Sequence, residues 1–435
     1  MSGERTPERD TPAAPTLRDL PPDLLRGLTS PRLSRRDALR LGGVSGLALA
    51  LAACGVSGGA TPAPSGSAAA DAAAAFWAKQ TPTKLLNFAN WPLYIDVSAT
   101  NKSDHPSIDL FTKQTGIKVT YSEVIQDNAS WFGQIQPQLA AGQSIGYDLM
   151  VETNGTYLDK LRALNYLQPL DQSMMTNFYK NASPLVKSPS YDRGNEFTMA
   201  WQSGMTGIGY NPKLTGRPIT SWQDLQDPAF KGKIGMFGDT QDLPNSAICA
   251  VGVNPETSTQ ADWHNAAAWL TKQRDAGLVR KYYTQDYISP LSKGDLWISM
   301  AWSGDIFQAN ASGASLEFVI PTEGAPIWTD NMCIPKGAAN PVAAMTWMDF
   351  VYQPQIAAML AESVNYVTPV PAAATYIAAD AAKATGADRA SLESLVSSPL
   401  IFPKPADYTR LHRYRVLTTA EEKVWNDLFE PIYQA

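Results

Sequence analysis

The chain has 435 residues and a formal charge of −6, with 35 Lys and Arg against 41 Asp and Glu. That acidic balance argues against nucleic acid as a partner and favours positively charged ones. Three scattered histidines (His105, His264 and His412) and three cysteines offer no metal-ligand spacing, so neither a metal nor a cofactor is expected.

The first 53 residues read as an export signal. Residues 1–33 are polar and proline-rich, and Ser34-Arg35-Arg36-Asp37 places paired arginines ahead of an apolar run at 41–53. That run has 13 residues, whereas a spanning helix needs about 20. It ends in Leu51-Ala52-Ala53-Cys54, small residues before a cysteine. The order resembles a twin-arginine signal, without the usual Phe at Ala38, followed by a bacterial lipobox. The chain is expected to be exported and lipid-anchored through Cys54, on the outer face of the cytoplasmic membrane or in the periplasm. Residues 54–82, mostly Gly, Ser, Ala and Pro, read as a flexible tether. Gly55-Val56-Ser57-Gly58-Gly59 fits the serine-hydrolase pattern G-x-S-x-G, but a tether supplies neither the strand nor the helix that the motif requires.

From residue 83 onward strands and helices alternate, which predicts α/β layers. Leu85-Leu86-Asn87-Phe88 is a short strand leading to Asn90-Trp91, and a helix over 108–114 ends at Gly116. Ile117 to Tyr121 alternates as a half-buried strand. Trp131, Ile135 and Leu139 mark a helical face closed by Gly142. A strand at 148–151 precedes a helix carrying Tyr157, Leu158 and Leu161. In the second half a strand at 233–237 runs into Gly238-Asp239, and Trp263, Ala267 and Leu270 give another helical face. A strand at 296–301 ends at Trp302, Trp328-Thr329-Asp330 begins a further one, and Asn340-Pro341 and Pro354 open helices. About 350 residues exceed what one core usually serves, so two lobes are expected. Cys249 and Cys333 are either a disulfide or two buried thiols.

No nucleophile–base pair, phosphate loop or dinucleotide motif is present, so no catalytic residue is assigned. Aromatic residues beside carboxylates at strand ends stand out instead. These are Asn90-Trp91-Pro92-Leu93-Tyr94, Asp239-Thr240-Gln241-Asp242, Trp302-Ser303-Gly304-Asp305 and Trp328-Thr329-Asp330. Strand carboxyl ends line the ligand crevice in open α/β sheets. Each has a plainer explanation: Asp239 and Asp242 as helix caps, Asp330 as a strand-edge charge. Together they suit a flexible organic cation. Ammonium groups need anionic partners when desolvated, and ring faces add about 0.5–2 kcal/mol per cation contact. The same rings cover methylenes at about 0.8 kcal/mol each.

These residues resemble the spermidine/putrescine-binding proteins of bacterial polyamine ABC transporters. The likeness runs from about Lys84 to the C-terminus. It rests on Asn90-Trp91-Pro92-Leu93-Tyr94, Thr115 to Val119, Tyr147-Asp148-Leu149 with Asp159-Lys160, and Thr220 to Leu225. Asp239-Thr240-Gln241-Asp242, Trp302-Ser303-Gly304, Trp328-Thr329-Asp330 and Tyr366-Val367-Thr368-Pro369 complete the order. The resemblance implies a two-lobed α/β periplasmic binding protein type II fold, with crossover hinge strands and a central ligand cleft. It implies lobe 1 at 83–203 and 329–370, and lobe 2 at 204–328 and 371–435. It places an ammonium on Asp330, another on Asp239 and Asp242, and methylenes among Trp91, Tyr94, Trp302, Trp328 and Tyr366. Thr153 stands near the family's pocket serine, in a loop one residue longer. Asp242 replaces a longer Glu, and the family's late pocket Gln has no match within 407–415. The implied protein is monomeric, binds spermidine or putrescine, and delivers it to a membrane permease. Alternatives are the same fold holding another organic cation, an amino acid or a metal ion, or an exported lipoprotein hydrolase.

Overall fold

The structure, a computed structural model, describes residues 67–434 apart from 99, 102, 285 and 405. The signal segment 1–53, Cys54 and the chain up to residue 66 lie outside the described residues. Within the described residues no helix is long and apolar enough to cross a membrane.

Ten strands form one sheet: β1 (Leu85–Asn90), β2 (Lys118–Glu123), β3 (Leu149–Thr153), β4 (Thr198–Tyr210), β5 (Ile234–Phe237), β6 (Val279–Tyr283), β7 (Ile298–Trp302), β8 (Glu317–Val319), β9 (Ala325–Cys333) and β10 (Leu411–His412). The main order is β2-β1-β3-β9-β4-β7-β5-β6. β1, β2 and β3 are parallel to one another, as are β5, β6 and β7. Between these two parallel sets β4 and β9 pair antiparallel. The early residues of β4 sit opposite the part of β9 that also pairs with β3, and its late residues pair with β7. β4 and β9 thus pass from one parallel set to the other. A third segment crosses with them, Ser203 and Val367 exchanging backbone hydrogen bonds of 2.9 and 2.8 Å.

Helices follow the strands because their apolar residues recur at helical spacing and their ends are capped. Gly116 ends the helix Pro106–Thr115 at φ 70°, a conformation glycine adopts without a Cβ penalty. Asp127 caps Asn128–Ala140, its carboxylate accepting the Ser130 amide. Trp263 and Trp425 meet edge-on at 5.2 Å where the helices Gln260–Asp275 and Thr419–Tyr433 pack together. His105 precedes the helix Pro106–Thr115 and bonds to the Asp96 carbonyl, and His264 is exposed. Cys249 and Cys333 are both buried and free.

Three expectations need correction. Residues 67–77 of the supposed tether are a helix: alanine is the strongest helix former, and Trp77 anchors the end by donating to the Pro169 carbonyl at 2.9 Å. Residues 373–401, expected with lobe 2, join the core of the first parallel set. Ala373, Ile377, Leu395 and Ile401 share a buried cluster with Leu86, Phe88 and Trp347, because the apolar stripes of Ala373–Lys383 and Gly386–Ser397 face that way. Trp328 and Asp330 lie in the middle of β9, not at its start.

Candidate functional site

β9 presents Trp328 and Asp330 on one face, two residues apart. Opposite them in register on β4 are Gly204 and Gln202, and a bulge after Ala200 sets this phase. The Trp328 indole lies flat over Gly204, where a Cβ would come within 2.2 Å of Cζ2. Gly304 admits the Tyr366 ring in the same way, at 2.6 Å. Two glycines therefore make room for two of the rings.

Asp330 is 5 % exposed. Its Oδ2 accepts the Tyr94 hydroxyl and its Oδ1 the Thr153 hydroxyl, both at 2.6 Å. Thr153 reaches it because β3 and β9 place the two residues directly opposite. Burial pushes this carboxyl up to about 6, the two hydroxyls pulling back and Asp242's charge adding. Gln202, beside it on β4, is buried, and its side-chain oxygen has no donor.

Asp242 opens the helix Asp242–Ala250. Its Oδ1 accepts from Thr206 and from Tyr414 (2.5 Å), and its Oδ2 accepts the Trp302 indole N–H at 3.1 Å. Burial raises this carboxyl as well, against those three bonds. The Trp328 indole donates to the same Thr206 hydroxyl at 3.2 Å, which ties the two ends of the site together. Asp305 forms a third position, its oxygens accepting from Tyr287 (2.8 Å) and Tyr366 (2.9 Å). Burial raises it too. Among the described residues none of the three carboxylates has a Lys or Arg partner: every donor is a neutral hydroxyl or indole. Burial raises the Tyr366 hydroxyl, and Asp305, Asp330 and Asp242 each push it further, so the three charges converge on one ring.

The rings pack against one another around this set, edge to face or tilted. Tyr94 and Tyr366 are 5.8 Å apart at 89°, and Tyr366 and Trp328 are 5.4 Å apart. Trp302 leans on Phe237 at 4.8 Å. Leu93, just before Tyr94, has φ 57° and is 56 % exposed. Such a backbone is costly for a leucine and is held by the Glu123 carboxylate on its amide at 3.0 Å.

Of the residues expected from the sequence, Tyr94, Thr153, Asp242, Trp302, Trp328, Asp330 and Tyr366 come together. Trp91 and Asp239 also make hydrogen bonds of their own. The Trp91 indole donates to the Val151 carbonyl at 3.2 Å and pins its loop to β3. Asp239 Oδ1 accepts the amides of Gln241 (2.7 Å) and Asp242 (2.5 Å), the capping role that was the plainer explanation. Desolvation and Asp242's charge lift its carboxyl to about 7. Glu152 faces the reverse side of the sheet, fully buried with neither oxygen partnered. Burial, with the charges of Asp330 and Asp127 adding, raises its carboxyl well above the ordinary value. Sequence reasoning missed Gln202, Thr206, Tyr287 and Tyr414. Only Tyr414 carried a signal, lying in the stretch where a polar pocket residue was sought.

A family model described as bacterial extracellular solute-binding protein matches residues 107–387. A spermidine/putrescine-binding periplasmic protein of Salmonella typhimurium is 30% identical over 285 residues, covering 65% of this chain and 77% of that protein. A putrescine-binding periplasmic protein of Pseudomonas aeruginosa is 30% identical over 308 residues, covering 66% and 79%. Among solved structures, a spermidine/putrescine transporter substrate-binding protein from Streptococcus pneumoniae superposes with TM-score 0.67 at 23% identity, covering 81% of this chain and 99% of that one. A putative spermidine/putrescine ABC transporter protein from Listeria monocytogenes gives 0.66 at 24% identity, covering 80% and 99%. These neighbours share the periplasmic binding protein type II fold.

Proposed function

The chain belongs to the bacterial extracellular solute-binding proteins, a family of binding proteins rather than enzymes, and on that premise we propose that it binds a linear polyamine, spermidine or putrescine, and hands it to an ABC permease. One observation carries this reading. Asp330, Asp242 and Asp305 are satisfied only by neutral donors and are ringed by Tyr94, Trp302, Trp328 and Tyr366. A buried carboxylate without a cation is costly, and an alkylammonium supplies the missing charge. Its three N–H donors also serve the unpartnered Gln202 oxygen. The relatives named above support the same ligand class.

The lobes in this reading are 83–203 with 329–401, and 204–328 with 402–435. They close about β4, β9 and the segment 366–369, a hinge movement. Cys54 is the lipid attachment point. Fatty-acid labelling of the mature protein tests this and is lost in Cys54→Ala if it holds.

The ligand is tested by titrating purified protein with putrescine, spermidine and spermine, followed by tryptophan fluorescence and calorimetry. Micromolar or tighter binding of at least one is expected. Failure of all three below millimolar overturns the reading.

A further inference from the structure

Near the start of the helix that carries Asp242, a second alkylammonium cage already holds a cation, and that cation belongs to the chain itself. Lys160, on the helix Thr156–Ala163, reaches Glu422 on the helix Thr419–Tyr433, with Nζ and Oε1 2.6 Å apart. The same ammonium stands 5.1 Å from the centre of the Tyr157 ring and 5.7 Å from that of Phe132. Those two rings are themselves 5.7 Å apart. A carboxylate and two ring faces around an ammonium on a four-carbon stem repeat the chemistry of the central site.

The position of the cage connects it to that site. Tyr157 and Glu422 line a crevice with Thr240 and Gln241, whose free volume of about 10 Å³ is the room of roughly one water. Gln241 directly precedes Asp242, and its side-chain amide donates to the Asn154 carbonyl at 2.9 Å. The Trp425 indole closes on the Thr240 carbonyl at 2.8 Å. The crevice therefore lies at the start of the helix that carries Asp242. The Lys160–Glu422 and Gln241–Asn154 contacts both join residues that follow β3 to residues outside its parallel set, Glu422 on the C-terminal helix and Gln241 after β5.

We propose that Glu422, Tyr157 and Phe132 form an outer ammonium site beyond Asp242, and that Lys160, by filling it, gates the length of polyamine that the cleft accepts. The inference rests on the polyamine reading above. A short diamine leaves the Lys160–Glu422 pair intact and keeps its help in closing the lobes. A longer polyamine brings a further ammonium to the cage, where it meets a like charge and too little space. Removing the lysine charge while keeping an unbranched stem leaves Glu422 and the rings free to take that ammonium.

The test compares calorimetric affinities for putrescine, spermidine and spermine in the mature wild-type chain, in Lys160→Met and in Lys160→Met/Glu422→Gln. Lys160→Gln serves as a second removal of the charge. Both single variants are expected to raise the spermine-to-putrescine affinity ratio about tenfold, the size of one well-placed charge contact. The double variant returns the ratio to the wild-type value. An unchanged ratio in the single variants, or a raised ratio that persists in the double variant, overturns the gate. If the wild type binds the amines and the ratio does not move, the gate alone fails. If the wild type binds none of them, the polyamine reading fails with it.

Discussion

The Asp330 end of the site and the Asp239–Asp242 end hold their carboxylates by different means. Asp330 sits in mid-strand, with two hydroxyls from residues near β1 and β3 fixing both oxygens. At the other end two aspartates stand three residues apart at one helix start. Asp239 spends an oxygen on the helix amides, while Asp242 turns its carboxylate to Thr206, Tyr414 and Trp302. A carboxylate becomes available to a ligand when the backbone does not claim it. Strand alternation guarantees that for Asp330; at a helix start only one of the pair escapes capping.

This contrast makes ordered predictions. Asp330→Asn keeps the shape and removes the charge, so polyamine affinity should fall about 100-fold or more, roughly 3 kcal/mol, by calorimetry. Asp242→Asn should cost about 30-fold, and Asp305→Asn less than either. Gly204→Ala pushes a methyl into the Trp328 ring at 2.2 Å. It should cost about 1–3 kcal/mol of stability and about tenfold in affinity, read by melting and titration.

The pH dependence has a definite sign. Asp330 titrates near 6 and Asp239 near 7 in the folded chain, above the usual carboxyl value of about 4. A cation needs Asp330 in its ionised form, so affinity should weaken as pH falls from 8 to 5. The stability linked to these raised groups runs the other way. It is fully present below their unfolded value and is lost as pH rises through about 6 to 7. Without ligand, Asp330→Asn should therefore melt no lower than wild type at pH 8. Asp239→Ala has the smallest expected effect on binding, within about threefold, but should cost about 1 kcal/mol of stability through the lost cap. If it weakens binding as much as Asp242→Asn does, the division of labour between the two aspartates is wrong.

Much of the frame was legible in the sequence. The strand at Leu85, the glycine stop at Gly116 and the proline openings at Pro341 and Pro354 all follow from period, caps and proline placement. β4 was not legible, because all thirteen of its residues are buried and uncharged and so give no alternation. The helix Ser67–Trp77 was hidden by a composition that reads as linker until Phe76 and Trp77. Helices at 373–397 showed an apolar stripe, but a stripe does not say which core it faces. Aspartates and tryptophans of the site announced themselves by type and position. Thr206, Tyr414 and Gln202 did not, since a neutral residue acquires its role only from the partner that folding brings to it.

The central claim is that charge on an alkyl chain, and not the chain alone, is what the carboxylates and rings receive. Titrating the protein side by side with putrescine and with 1,4-butanediol, its neutral counterpart, tests this most directly. Saturable binding of the diamine and none of the diol at the same concentrations is expected. Equal binding of the two, or binding of the diol alone, would contradict it.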